Sequence, residues 1–138
     1  MNAQEIIDRL DLAPHPEGGH YRQTWAAPNA GRPMGTCIYF LLAAGEHSHW
    51  HKVDATEIWL FHAGAPLVLS ISATDDGPAI DHVLSPDLDQ GQPQLIVPQD
   101  HWQAARSTGA WTLVSCTVSP GFQFDGFILA SPEFDIPR

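Results

Sequence analysis

The chain has 138 residues, and its 43% hydrophobic and 16% charged composition is that of one globular domain with a real core, not of a disordered segment. Only six Lys and Arg stand against sixteen Asp and Glu, and the formal net charge of −10 repels phosphate backbones and anionic lipid, which argues against nucleic-acid polymers and membranes as partners. No apolar run reaches the length of a membrane span and no signal peptide opens the chain, so a cytoplasmic location is expected.

Residues 2–12 predict a helix. Asn2 can cap it, Glu5 three residues later completes a capping box, and Ile6, Ile7 and Leu10 form one apolar stripe. Pro14 should end it, and the helix should lie on the outside of a sheet. His15-Pro16-Glu17-Gly18-Gly19-His20-Tyr21-Arg22 follows, where the glycine pair permits positive φ and close backbone approach. Tyr21 to Trp25 alternates like a strand, and 28–33 is a polar loop. Thr36 to Leu42 is almost continuously apolar. It is too short for a membrane and too rich in β-branched and aromatic residues for a helix, so it predicts a strand buried on both faces.

His47 to Gly64 organises the chain. His47, His49 and His51 alternate, Lys52-Val53-Asp54-Ala55 reads as a turn, and Glu57 opens a returning strand. Residues two apart in a strand share a face about 7 Å apart. His49 and His51 should therefore point the same way, and a hairpin would bring Glu57 to them. Two imidazoles and a carboxylate so placed form a divalent-metal half-site, or a polar floor for a small-molecule pocket. Beyond it, Leu67, Leu69 and Ile71 alternate against Val68, Ser70 and Ser72, and 74–78 is a turn. Residues 80–84, 95–97, 101–106 and 111–118 predict further strands, and 122–129 carries the last aromatics. Short strands at this spacing with no second helix predict an all-β sandwich or barrel over about residues 20–131. Cys37 and Cys116 lie in apolar strands and read as buried free thiols.

His49-x-His51, then Glu57, then Gly64 resembles the first motif of the cupins. His15 to Arg22 and Val114 to Phe122 resemble segments of one subfamily of small single-domain cupins, often labelled sugar-epimerase-like, with no settled activity. The resemblance implies a double-stranded β-helix (jelly-roll) barrel with one N-terminal helix, a single domain over residues 1–138. In that subfamily the positions of His51 and Glu57 are the dependable ones, and the first histidine of the pair is not. It also implies a homodimer, for which the apolar outer positions Ile58 and Leu60 are suited. The second cupin motif runs Pro-x-Gly, then His, then Asn. The matching segment here, Pro98 to Ser107, has Asp100 for the glycine, Gln103 for the histidine and Ser107 for the asparagine. A metal set would be His49, His51, Glu57 and Gln103, holding one divalent ion such as zinc, iron, manganese or nickel. A glutamine amide is a poor ligand for these, so the set is weaker than three histidines. His101 would share the face of Gln103 but sit about 7 Å farther along the strand.

The candidates for chemistry are His51 as acid or base, since imidazole suits proton transfer near neutral pH, and Glu57 as its orienting partner. Gln103 would hydrogen-bond a substrate oxygen. Glu17 is either a solvated loop acid or, as the resemblance implies, a residue of the pocket rim, Tyr21 is a candidate to bind the ligand, and Trp59 and Trp102 could be an aromatic wall or plain core. Arg22 and Arg106 could pair local carboxylates or grip an anionic ligand group. These residues suggest a small-molecule pocket, for a sugar nucleotide or another metabolite, with isomerase- or epimerase-like acid–base chemistry. The alternatives are a metal-dependent cupin enzyme, a dioxygenase or isomerase, and a non-catalytic metabolite-binding barrel.

Overall fold

Helix α1 (Ala3–Leu10) opens the computed structural model, which describes residues 1–138. The Asn2 side chain accepts the Glu5 N–H at 2.9 Å, as the capping pattern predicts. The helix stops earlier than Pro14 requires, because Asp11 turns into the left-handed conformation at φ 56°. Ile6 and Leu12 pack on Leu41, which seats the helix on the outside of a sheet.

The strands are β1 (Ala13–Pro14), β2 (His20–Ala26), β3 (Thr36–Ala43), β4 (His47–Val53), β5 (Thr56–Gly64), β6 (Leu67–Ser72), β7 (Ile80–Leu84), β8 (Gln94–Val97), β9 (Trp102–Ser107), β10 (Trp111–Ser119) and β11 (Phe127–Leu129). They form two antiparallel sheets, one in the order β1-β2-β3-β10-β5-β8 and one in the order β11-β4-β9-β6-β7. This is the all-β jelly-roll barrel with one N-terminal helix that the resemblance implies. Inward side chains of both sheets, among them Phe40, Leu42, Trp59, Leu67, Leu69 and Val114, fill one part of the barrel. No helix is long and apolar enough to cross a membrane.

The expected hairpin from His47 to Gly64 does not form. β4 pairs with β9 and β11, whereas β5 pairs with β10 and β8, so the turn at Asp54-Ala55 carries the chain from one sheet to the other. His51 and Glu57 therefore approach across the barrel interior, not along a hairpin ladder. Both cysteines are free. Cys37 sits opposite Thr117 and Cys116 opposite Ile38, so the thiols point to opposite faces of one sheet, and only Cys116 is buried.

Candidate functional site

The site begins with a bulge in β4. Ser48 lies opposite Ala105 and His51 opposite Gln103, so three steps on β4 match two on β9. The extra residue puts Ser48 and His51 on one face, 1% and 2% exposed, and turns His49 away from it. The Nε2–H of His49 donates instead to the Ser131 carbonyl at 2.8 Å, outside the barrel. The expectation that His49 and His51 share a face fails here, because the bulge breaks the two-residue period on which it rests.

The bulge serves Glu17, in the loop between β1 and β2. Ser48 Oγ donates to Glu17 Oε2, and the His49 N–H donates to the Glu17 carbonyl at 2.8 Å. Gly18, at φ 110°, lies so close to β4 that a Cβ there would drive into the His47 carbonyl oxygen. The Glu17 side chain is left only 9% exposed, its Oε1 3.3 Å from His15 Nδ1 and 3.5 Å from His51 Nε2. The hydrogen bonds fix both imidazoles as opposite tautomers. His51 Nδ1–H donates to the His49 carbonyl at 2.7 Å, so Nε2 keeps its lone pair toward Glu17. His15 Nδ1 accepts the Glu17 N–H at 3.1 Å, so its proton sits on Nε2.

The opposite wall comes from β5 and β10, which bring Glu57 and Cys116. Glu57 is 7% exposed, and Gln103 Nε2 donates to its Oε1 at 2.8 Å. Trp59 Nε1–H donates in turn to Gln103 Oε1 at 2.9 Å. The cavity is about 230 Å3, with Tyr21, Phe122 and Phe124 among its aromatic lining. A larger groove of about 430 Å3 runs along the outer face of the five-stranded sheet beneath residues 132–138, but the buried titratable groups are all in the smaller cavity.

Burial sets the proton inventory. It raises Glu17 to about 8, and the Ser48 hydrogen bond only partly opposes it. It raises Glu57 to about 7, with His51 opposing and Glu17 adding to the rise. It lowers His15 to about 4, helped by His51, and lowers His51 too, against the pull of Glu57. Burial also pushes the Cys116 thiol well up, so it is an inert neighbour. At neutral pH the site thus holds two neutral imidazoles beside a Glu17 carboxyl that retains its proton and a Glu57 carboxyl near its midpoint.

Of the expected site residues, Glu17, Tyr21, His51 and Glu57 meet around the cavity. Four do not line it, His49 on the outside among them. Gln103 lies behind Glu57, 1% exposed, donating from Nε2 to Glu57 and accepting at Oε1 from Trp59, so it positions Glu57 and does not face a substrate or a metal in the cavity. Trp59 is 1% exposed and packs edge-to-face on Phe40, which makes it core, not wall. Trp102 faces outward from the five-stranded sheet, donates to Asp75 and stacks near Phe134, because odd and even positions of β9 face opposite sides. Asp100 adopts φ 63°, which explains how an aspartate serves at a glycine position. His101 lies in the turn before β9. His15 and Ser48 were missing from the expected set. His15 was visible within the quoted motif, but nothing short of the bulge points to Ser48.

A divalent ion does not fit the expected donors. His49 is outside, Gln103 is occupied, and no group of three or more His, Cys, Asp or Glu is arranged to hold a metal.

A family model described as "Cupin superfamily (DUF985)" matches residues 4–130. Among solved structures, protein SO0799 from Shewanella oneidensis is 38% identical, with a TM-score of 0.89 over 95% of this chain and 85% of that one. A hypothetical protein from Leishmania major is 28% identical, with a TM-score of 0.87 over 95% and 88%. Oxalate decarboxylase from Bacillus subtilis, described with Mn(II) centres, is 11% identical, with a TM-score of 0.65 over 87% of this chain and 30% of that one, a likeness of fold alone. No curated protein matches the sequence.

Proposed function

We propose that this chain, which belongs to the DUF985 family of the cupin superfamily, is a small-molecule enzyme that moves a proton with His51 and Glu17, in the manner of an isomerase or epimerase. The observation that carries the reading is the pair itself. His51 Nε2 carries no proton, its ring fixed by the His49 carbonyl behind it, and lies 3.5 Å from the Glu17 carboxyl inside the cavity. A neutral imidazole takes a proton near neutral pH, and a carboxyl raised by burial can return one. Glu57, held by Gln103, biases His51 toward the cation that forms when it accepts the proton. His51 is thus the base, Glu17 the acid, and Glu57 an electrostatic partner. The metal-dependent alternative lacks a fitting donor set, and nothing in the geometry favours a purely passive barrel over proton transfer.

The test is deuterium exchange. Small hydroxy- and amino-carbonyl compounds are incubated with the protein in heavy water, and loss of the C–H signal beside the carbonyl is followed by NMR. Exchange should fall by about 100-fold or more in His51→Asn, the scale of one general base. Equal exchange by that variant on a compound the native protein turns over would remove His51 from the role.

A further inference from the structure

We infer that the barrel cavity selects a small organic cation, a protonated amine on a flat or aromatic body, over neutral and anionic ligands of the same size. The inference rests on reading this cavity as the ligand site. Glu17 and Glu57 both line it, their side chains shielded from water, and neither has a fixed cation as partner. Their basic neighbours, His15 and His51, are the imidazoles that burial keeps neutral.

Every lysine and arginine is elsewhere. Arg32 is bound to Asp54, and Arg138 to Asp81. Arg22 lies over the Tyr39 ring, and Lys52 over Trp102. Arg9 is on the helix, and Arg106 lines the outer groove. Buried carboxylates without a protein counter-ion are unfavourable, which is why both carboxyls are raised. A ligand bearing a positive charge supplies the missing counter-ion. A neutral ligand does not, and an anion adds repulsion in a chain of net charge −10.

The walls agree with this charge. Tyr21, Phe122 and Phe124 line the cavity, with Phe124 54% exposed toward solvent. Aromatic faces attract ammonium groups, most strongly where water is excluded. The volume of about 230 Å3 falls below the roughly 300–1,000 Å3 of drug-sized sites, which leaves room for about one ring with a short arm. A nucleotide-linked sugar fits neither the volume nor the charge, since no cation is present to meet a diphosphate.

Three probes sharing one ring separate the terms: benzylamine, benzyl alcohol and benzoate, titrated calorimetrically into the native protein near neutral pH. Benzylamine should bind about tenfold or more tighter than benzyl alcohol, and benzoate should not bind. The nearly isosteric Glu17→Gln should weaken benzylamine by about the same factor and benzyl alcohol by much less, so that the preference for the amine collapses. Equal or tighter binding of the alcohol or the acid overturns the inference. So does an amine preference that survives Glu17→Gln, and so does absence of binding by all three probes. Gln23→Trp, which narrows the cavity mouth from an exposed position, separates this failure from that of the cavity reading. A neutral probe that binds best but is blocked by Gln23→Trp leaves the cavity as the ligand site and removes only its charge selectivity. A probe unaffected by Gln23→Trp binds elsewhere and removes both.

Discussion

Glu17 and His15 invert the usual division between a charged carboxylate and a titrating imidazole. Glu17 is raised to about 8 from an ordinary 4.5, so its contribution to stability is full below about 4.5 and is lost as pH rises toward about 8. Glu57, raised to about 7, acts with the same sign. His15, lowered to about 4 from 6.5, acts oppositely, its contribution being lost as pH falls below 6.5. Denaturant unfolding from pH 5 to pH 9 should therefore show the native protein weakening toward the alkaline side, and Glu17→Gln weakening less. Parallel profiles would mean that Glu17 is not buried as described. The Trp59–Gln103–Glu57 chain gives a second expectation. Trp59→Phe keeps the ring but leaves Gln103 Oε1 buried without its donor, which should cost about 1–3 kcal/mol of unfolding free energy. An unchanged urea midpoint would show that the amide finds another donor.

At the scale of elements, the site depends on two backbone irregularities that meet. The β4 bulge turns Ser48 inward, and the Gly18 loop lies against the same stretch of strand. Gly18→Ala should cost at least about 1–2 kcal/mol for its positive φ alone. The clash with His47 adds to that and should displace Glu17 from His51. Lower thermal stability together with a shifted imidazole resonance of His51 is the expected result, and a native resonance would show that the loop adapts without moving the acid. The strands themselves were readable, since alternation at Leu67, Leu69 and Ile71 and the apolar run at Thr36–Leu42 are local patterns. The bulge was not, because it inserts a residue without a glycine, proline or composition change to mark it.

For the whole molecule, charge singles out one surface. Trp25, Cys37, Thr117, Ile58 and Ile96 lie side by side across five strands on the outer face of the six-stranded sheet. Arg22, Tyr39, Ser115, Leu60 and Gln94 form the next row. Neither row contains a carboxylate, although the chain carries −10, and Trp25 and Ile96 are more than half exposed. Two copies meeting through this face bring no carboxylates of these rows together and cover exposed apolar side chains, so the homodimer implied by Ile58 and Leu60 is proposed to form through it. Sedimentation equilibrium should give a dimer for the native chain and a monomer for Ile58→Glu. A native monomer, or a dimer indifferent to that substitution, would remove this face from the role.

The chain's own order of residues was enough to predict an all-β fold with one capped helix, and the resemblance of two separate motifs to the cupins put His51 and Glu57 at a pocket with Glu17 and Tyr21 as candidates beside them. The helix and strands follow from local periodicity, whereas the grouping of those four residues rests on the resemblance. Tertiary structure alone decided that β4 and β5 enter different sheets, that Ser48 replaces His49 beside His51, and that Trp59, Trp102 and Gln103 leave the cavity wall. Each of these turns on strand pairing between distant segments, where a shift of one residue exchanges the inner and outer faces of everything that follows.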